Sequence, residues 1–343
     1  MNIGDGPATG WRTMPLTGRL IGRTTTLGFA LAVMTTACTT TADAGAAPGS
    51  AAAHEITMVG ERLFPESITS DAAGNIYVGS NPGIVFRALR GSDRAEPWIM
   101  PDAESGLQSV FGVLADDARG LLWVCSNPNT LVEPRQTGLA TVKAFTMSSG
   151  QLMADYPFPA DAGPSLCNDM TIAPNGDLYA TDTVGARIFR LRSGGSTLDF
   201  WGASDHFASI DGISFGRGGA LYANSIQRNT LLRVGMGPNE SFGAVEVLQT
   251  TAPMAGPDGL RPLGGNRMLQ SEGNAGTITV LTFPETGPVE IEVIASGIDY
   301  ASSVTMVGTR AYYPEGKLSY MFDPAKRGQD PGTFVIRSVE IPQ

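Results

Sequence analysis

The chain has 343 residues, with 23 Lys and Arg against 33 Asp and Glu, a formal net charge of −10. No basic stripe is present to hold a phosphate backbone, which argues against nucleic-acid binding. The only histidines are His54 and His206, a poor supply of ligands for a zinc centre.

The N-terminus carries Arg12, Arg19 and Arg23, then the apolar run LGFALAVM, then Thr35, Thr36, Ala37 and Cys38. That order predicts a secretory leader over residues 1–37. The apolar run is too short for a membrane span, which needs about 20 residues. Met14 offers an alternative start that leaves Arg19 and Arg23 just ahead of the apolar stretch. A small residue directly before Cys38 resembles a bacterial lipobox, although Thr35 stands where leucine is usual. It predicts acylation of Cys38 and membrane attachment in the periplasm or cell envelope, with plain secretion as the alternative. Residues 38–54 are small, polar and aperiodic, and read as a flexible tether. Cys125 and Cys167 follow; an exported protein permits a disulfide, but two cysteines make no framework, and buried free thiols are expected.

Residues 55–343 read as a repeat array. One unit recurs: a polar residue, an apolar residue, a glycine turn and an apolar pair ending in an aromatic. It appears as PESITSDAAGNIYV, VFGVLADDARGLLWV, CNDMTIAPNGDLYA and IDGISFGRGGALYA, and more faintly as PDGLRPLGGNRML and ASSVTMVGTRAYY. In register, Glu66, Phe111, Asn168, Asp211, Asp258 and Ser302 are spaced by 45, 57, 43, 47 and 44 residues. That period is the length of a four-stranded propeller blade, and a sandwich would not require it. The expected fold is therefore an all-β six-bladed β-propeller with four-stranded blades. Runs such as IYV and LWV are its buried second strands, IVFRAL and TLLRVG its third strands. Either EITMVG or TFVIRSVEI completes the last blade.

In such an array the six registered residues open the innermost strands and form a ring at one mouth of the tunnel. Glu66, Asn168, Asp211 and Asp258 thus bring three carboxylates and an amide together, hard oxygen ligands suited to calcium or another divalent cation. Asp-Gly pairs at strand starts commonly bond turn amides, so Asp258 reads as a turn fixture bordering the substrate. His206, in a connecting loop, could relay protons at the rim. Tyr300 is placed to line the mouth.

These repeats, with Glu66, Asn168 and the IDGIS string around Asp211, resemble the senescence-marker-protein/gluconolactonase family across nearly the whole exported chain. The resemblance implies that Glu66, Asn168 and Asp211 ligate a divalent cation. It further implies that Asp211 is the base or nucleophile of lactone and ester hydrolysis on a small-molecule substrate. The chain departs at Phe111, where several members carry asparagine, and SVFGV lacks the arginine of sugar-acid lactonases. Phe111 thus points to a less polar substrate. The competing expectations are a non-catalytic envelope propeller that binds a protein or glycan, and a metal-independent enzyme of the strictosidine-synthase kind.

Overall fold

The computed structural model describes residues 55–129 and 136–343; the leader and the whole tether, Cys38 included, lie outside the described residues. Its strands form four separate four-stranded sheets and one sheet of eight. The four-stranded sheets begin with Ser109–Asp116, Cys167–Ile172, Ile210–Phe215 and Pro257–Gly264. The eight-stranded sheet runs from Pro65–Ser70 out to Arg94–Ile99, crosses to Ile56–Met58, and returns through Val335–Glu340 and Arg310–Pro314 to Thr305–Val307. Contacts link the first strands of neighbouring sheets around a common axis, so the molecule is an all-β propeller with four-stranded blades. No described helix is long and apolar enough to cross a membrane.

The eight-stranded sheet departs from the expectation of separate blades, and hydrogen-bond supply explains it. Strand Ile56–Met58 pairs antiparallel with the C-terminal strand (Ile56↔Ile336) and parallel with Arg94–Ile99 (Thr57↔Arg94, Met58↔Ala95). An outer strand has two edges of amide and carbonyl groups to satisfy, and here both find partners. Both candidate closing segments are used, TFVIRSVEI as third strand and EITMVG as fourth.

Burial follows the repeat. The second strands Ile76–Ser80 and Leu178–Asp182 are buried at every position, whereas the outer strand Leu152–Pro157 alternates between half-buried and exposed. Apolar clusters fill the junctions between successive sheets, for example Tyr77 with Val113 and Phe145, and Tyr179 with Trp201 and Leu232. At the closure Phe64 meets Phe334 edge to face, ring centroids 5.4 Å apart. Full burial of side chains of this size stabilises by about 1.5–3 kcal/mol each.

Polar side chains on the first strands clamp the next sheet. Ser67 Oγ accepts from Val113 N, Thr69 Oγ1 from Ala115 N, and Thr171 Oγ1 from Phe215 N. Cys125 and Cys167 correct the free-thiol expectation, for they form a disulfide with Cα atoms 5.3 Å apart. Cys125 lies on the second strand of one sheet and Cys167 opens the next, so packing at that junction supplies a proximity that spacing in the chain does not. Asn127 pins the same point, donating from Nδ2 to Cys167 O at 2.8 Å and accepting from Cys167 N at 2.9 Å.

Candidate active site

Five first strands slip register at the same place: between Pro65 and Ser67, Val110 and Val113, Cys167 and Met170, Ile210 and Ile213, and Pro257 and Leu260. The residues inside those slips include Glu66, Phe111, Asn168, Asp211 and Asp258. A bulge frees a residue from the ladder and re-aims its side chain. Four entries are also left-handed two residues earlier, at Phe64 (φ 44°), Ser209 (51°), Gly256 (64°) and Tyr300 (62°). Three of these are not glycine, so strain collects at the mouth. Glycine is needed just after the ring residue: a Cβ on Gly112 would lie 2.2 Å from Asn168 O, and one on Gly212 2.2 Å from Asp258 O. At the last junction Gly259 N donates to Ser302 O (3.3 Å) and Ser302 Oγ donates to Pro65 O (3.2 Å).

The carboxylates meet. Asn168 Nδ2 donates to Asp211 Oδ2 at 2.5 Å and to Thr183 Oγ1 at 3.0 Å. Asp211 and Asp258, 3% and 7% exposed, share a hydrogen bond. Burial pushes the Glu66 carboxyl up to about 8, with the charge of Asp211 adding to it. Asp211 is likewise pushed up to about 8, by burial first and Asp169 second, while hydrogen bonds from Asp258 and Asn168 act the other way. Asp258 stands well above the ordinary carboxylate range because of burial, then Asp211 and Glu66. This corrects the reading of Asp258 as a turn fixture. Its side chain joins the cluster, and its backbone carbonyl accepts from Asn224 Nδ2.

The cation nearest this cluster is Arg261, and it is already committed. Its Nη1 and Nη2 donate to Asp169 at 2.7 and 2.9 Å across 92 residues of chain, and its Nη1 also reaches Leu260 O. Burial works against its charge, yet Asp169 raises its pKa. Asp169 also accepts from Ile213 N (3.1 Å), so one carboxylate ties together three sheets. Residue-by-residue reading missed this pair; the signal was a charged residue three places after a ring position, in the otherwise apolar GLRPL.

The remaining predicted residues divide. Tyr300 is brought in: burial, then Asp258, Glu66 and Asp211, hold its hydroxyl far above the ordinary range, so it is a neutral donor beside the carboxylates. Phe111 is half-buried and packs on the cluster around Trp123 and Met170. His206 sits on a short 3₁₀ turn and lines a different cavity of about 600 Å³, with Gln227, Arg228 and Thr230 and no ring residue.

Glu66 Oε2 is buried without a hydrogen-bond partner. An orphaned carboxylate oxygen among two further buried carboxyl groups has the chemistry of a hard-cation site. The residues fit such an ion through Glu66, Asp211 and the amide oxygen of Asn168. Among the described residues, no three His, Cys, Asp or Glu side chains form a ready-made cluster for a metal, so amide and water oxygens would complete the set.

The raised carboxyls set the sign of a pH effect. Glu66 and Asp211 titrate near 8 when folded and near 4 when unfolded, so the stability they lend is full below about pH 4 and is lost as pH rises toward 8. In EDTA, the melting temperature should fall by several degrees between pH 5 and pH 8.5, and Glu66→Gln should flatten the decline. Calcium should restore it at pH 8.5. Scanning fluorimetry across pH checks this, and a melting temperature that rises over the interval in EDTA would contradict the cluster.

No family model matches the chain, and no curated protein matches it. Solved structures do. A virginiamycin B lyase from Staphylococcus aureus is 15% identical, with TM-score 0.56 over 84% of this chain and 99% of its own. A gluconolactonase from Xanthomonas campestris is 13% identical, with TM-score 0.59 over 84% and 90%. A luciferin-regenerating enzyme is 10% identical, with TM-score 0.61 over 84% and 97%. The chain thus shares the fold of gluconolactonase and virginiamycin B lyase propellers. A form of the S. aureus lyase with a histidine replaced by alanine is catalytically inactive.

Proposed function

We propose that this protein is a six-bladed propeller, exported behind a leader that ends at an acylated Cys38, and a calcium-dependent hydrolase of lactones or related esters. The eight-stranded sheet is then two blades laced by Ile56–Met58. One observation carries the catalytic reading: Glu66 Oε2 is buried and unpaired beside Asp211 and Asp258, while Arg261, the cation adjacent to them among the described residues, is spent on Asp169. Buried carboxylates so crowded need a positive partner to ionise together.

When bound, a divalent cation would polarise the substrate carbonyl and stabilise its developing oxyanion. Asp211 is oriented by Asn168 Nδ2 and by Asp258, and its carboxylate takes a proton from water. The water oxygen bonds to the acyl carbon, the acyl C–O bond breaks, and the departing alkoxide takes up the proton held on Asp211. Tyr300 adds a neutral hydroxyl and an apolar face, and Phe111 makes the mouth suit a substrate less polar than a sugar acid. A lyase reading is weaker, because His206, the single histidine among the described residues, lines another cavity. The test is metal analysis of the purified exported chain, followed by a lactone and aryl-ester screen with calcium or EDTA. Hydrolysis that is lost in EDTA and returns with calcium supports the proposal; no metal and no hydrolysis would leave a binding propeller.

A further inference from the structure

Beside the ring at Glu66 lies a cavity of about 310 Å³, lined by Arg62, Phe64, Asn81, Tyr320, Met321 and Arg327 among others. That volume is at the lower end of small-molecule sites. Its wall includes Phe64, two places before Glu66. Asn81 N donates to Phe64 O at 3.1 Å. Arg62 and Phe64 both hold left-handed backbone, φ 51° and 44°, a state uncommon for non-glycine residues. The opposite wall, Tyr320, Met321 and Arg327, comes from the segment between strands Arg310–Pro314 and Val335–Glu340.

The charge of this cavity runs against the rest of the chain. In a protein of net charge −10, the ionisable side chains named in its lining are two arginines and a tyrosine, with no carboxylate among the described lining residues. Some of the described arginines elsewhere are ion-paired, Arg119 with Asp116, Arg187 with Asp182 and Arg337 with Glu315. Arg62 and Arg327 have no acidic partner among the described residues. Arg62 Nη1 donates to Gln329 O at 3.0 Å and its guanidinium lies 5.1 Å from the centre of the Phe64 ring; Arg327 Nε donates to Met321 O at 3.3 Å. These contacts hold the side chains while leaving most of their donors for a ligand. Asn81 Oδ1 accepts from Ser109 Oγ, which leaves its amide N–H groups as donors. Phe64, Pro82 and Met321 supply apolar surface.

We propose that this cavity binds a carboxylate carried on an apolar body, and that the group belongs to the substrate whose ester or lactone carbonyl reacts at the ring. The second half rests on the hydrolase reading; the first does not. The argument is electrostatic. A ring of carboxylates repels an anionic substrate, and two guanidinium groups without acidic partners in this cavity, farther from the ring than Arg261, offset that repulsion for the part of the substrate seated there.

Two arms test it on the purified exported chain. In the first, calorimetry compares 3-phenylpropionate with its neutral amide. The acid should bind about tenfold tighter or better, a difference of about 1.4 kcal/mol. Raising the salt from about 0.05 to about 0.5 M should erode that preference without altering amide binding. Arg62→Met with Arg327→Met should abolish it, with circular dichroism confirming the fold; if that variant does not fold, the salt titration on the parent stands alone. Equal binding of acid and amide by the parent would overturn the pocket. In the second arm, kcat/KM is compared for 4-nitrophenyl hydrogen glutarate and 4-nitrophenyl pentanoate. A preference for the anionic ester that the double variant loses supports the substrate assignment, and preference for the neutral ester overturns it. Acid-selective binding with no hydrolysis of either ester would sink the hydrolase reading and leave the anion pocket in place.

Discussion

Asp211→Asn should lower turnover by about 10²-fold or more, the usual worth of a positioned base, without destabilising the metal-free fold. The second half of this expectation makes the experiment discriminating. An asparagine at 211 can still accept from Asn168 Nδ2 through its oxygen, and its amide can donate to Asp258 where two carboxyl groups now share a hydrogen bond. Removing one of several crowded, buried carboxyls relieves repulsion, so the melting temperature in EDTA should hold or rise. A purely structural Asp211 would give the reverse, a weakened fold with activity falling only in proportion. Turnover should be compared at saturating calcium with occupancy measured on each sample, since the variant binds the ion with one charge fewer. Full activity in the calcium-loaded variant would remove Asp211 from the chemistry.

Arg261→Met should produce the largest loss of stability of any single change near the ring. Asp169 would be left buried with hydrogen bonds from Met170 N and Ile213 N but no countercharge. Breaking a buried pair from one side typically destabilises by about 3–5 kcal/mol. For a domain of this size that corresponds to roughly 10 °C in melting temperature. Adding Asp169→Asn should recover at least half of the loss, because the isolated charge, and not the missing guanidinium, is the larger penalty. Urea melts of both single variants and the double variant measure the coupling. If the double variant is no more stable than Arg261→Met, the guanidinium acts by packing in the tunnel. Arg261 Nε is buried without a partner, so part of this side chain is polar surface that the fold tolerates for the sake of the other end.

Much of this molecule was legible before any coordinates. Each of the four-stranded sheets is built from contiguous chain, so the repeat near 45 residues carries the blade directly. Aligning the copies places Glu66, Asn168, Asp211 and Asp258 at equivalent starts of first strands, and the register slips occur at those starts. Local pattern also picked out the buried second strands, because strand periodicity depends on near neighbours in the chain.

What local pattern cannot carry is the angle and distance between sheets. The Cys125–Cys167 bond depends on how two adjacent blades pack, and the cysteines looked like inert thiols without that contact. Asp258 read as a turn fixture because Asp-Gly is common in turns; the bulge and the left-handed Gly256 turn its carboxyl inward to Asp211 instead. Asp169 and Arg261 sit 92 residues apart on sheets that are not sequence neighbours, and only closure of the ring across the axis brings guanidinium and carboxylate within 2.7 Å. The cavity of Arg62 and Arg327 joins residues from the two ends of the repeat array, which meet because the N-terminal strand is laced to the C-terminal one. Contiguous sequence therefore specifies the blades and the ring positions, while long-range closure specifies which charges face one another, because the free energy of a buried charge depends on neighbours that the chain supplies from far away.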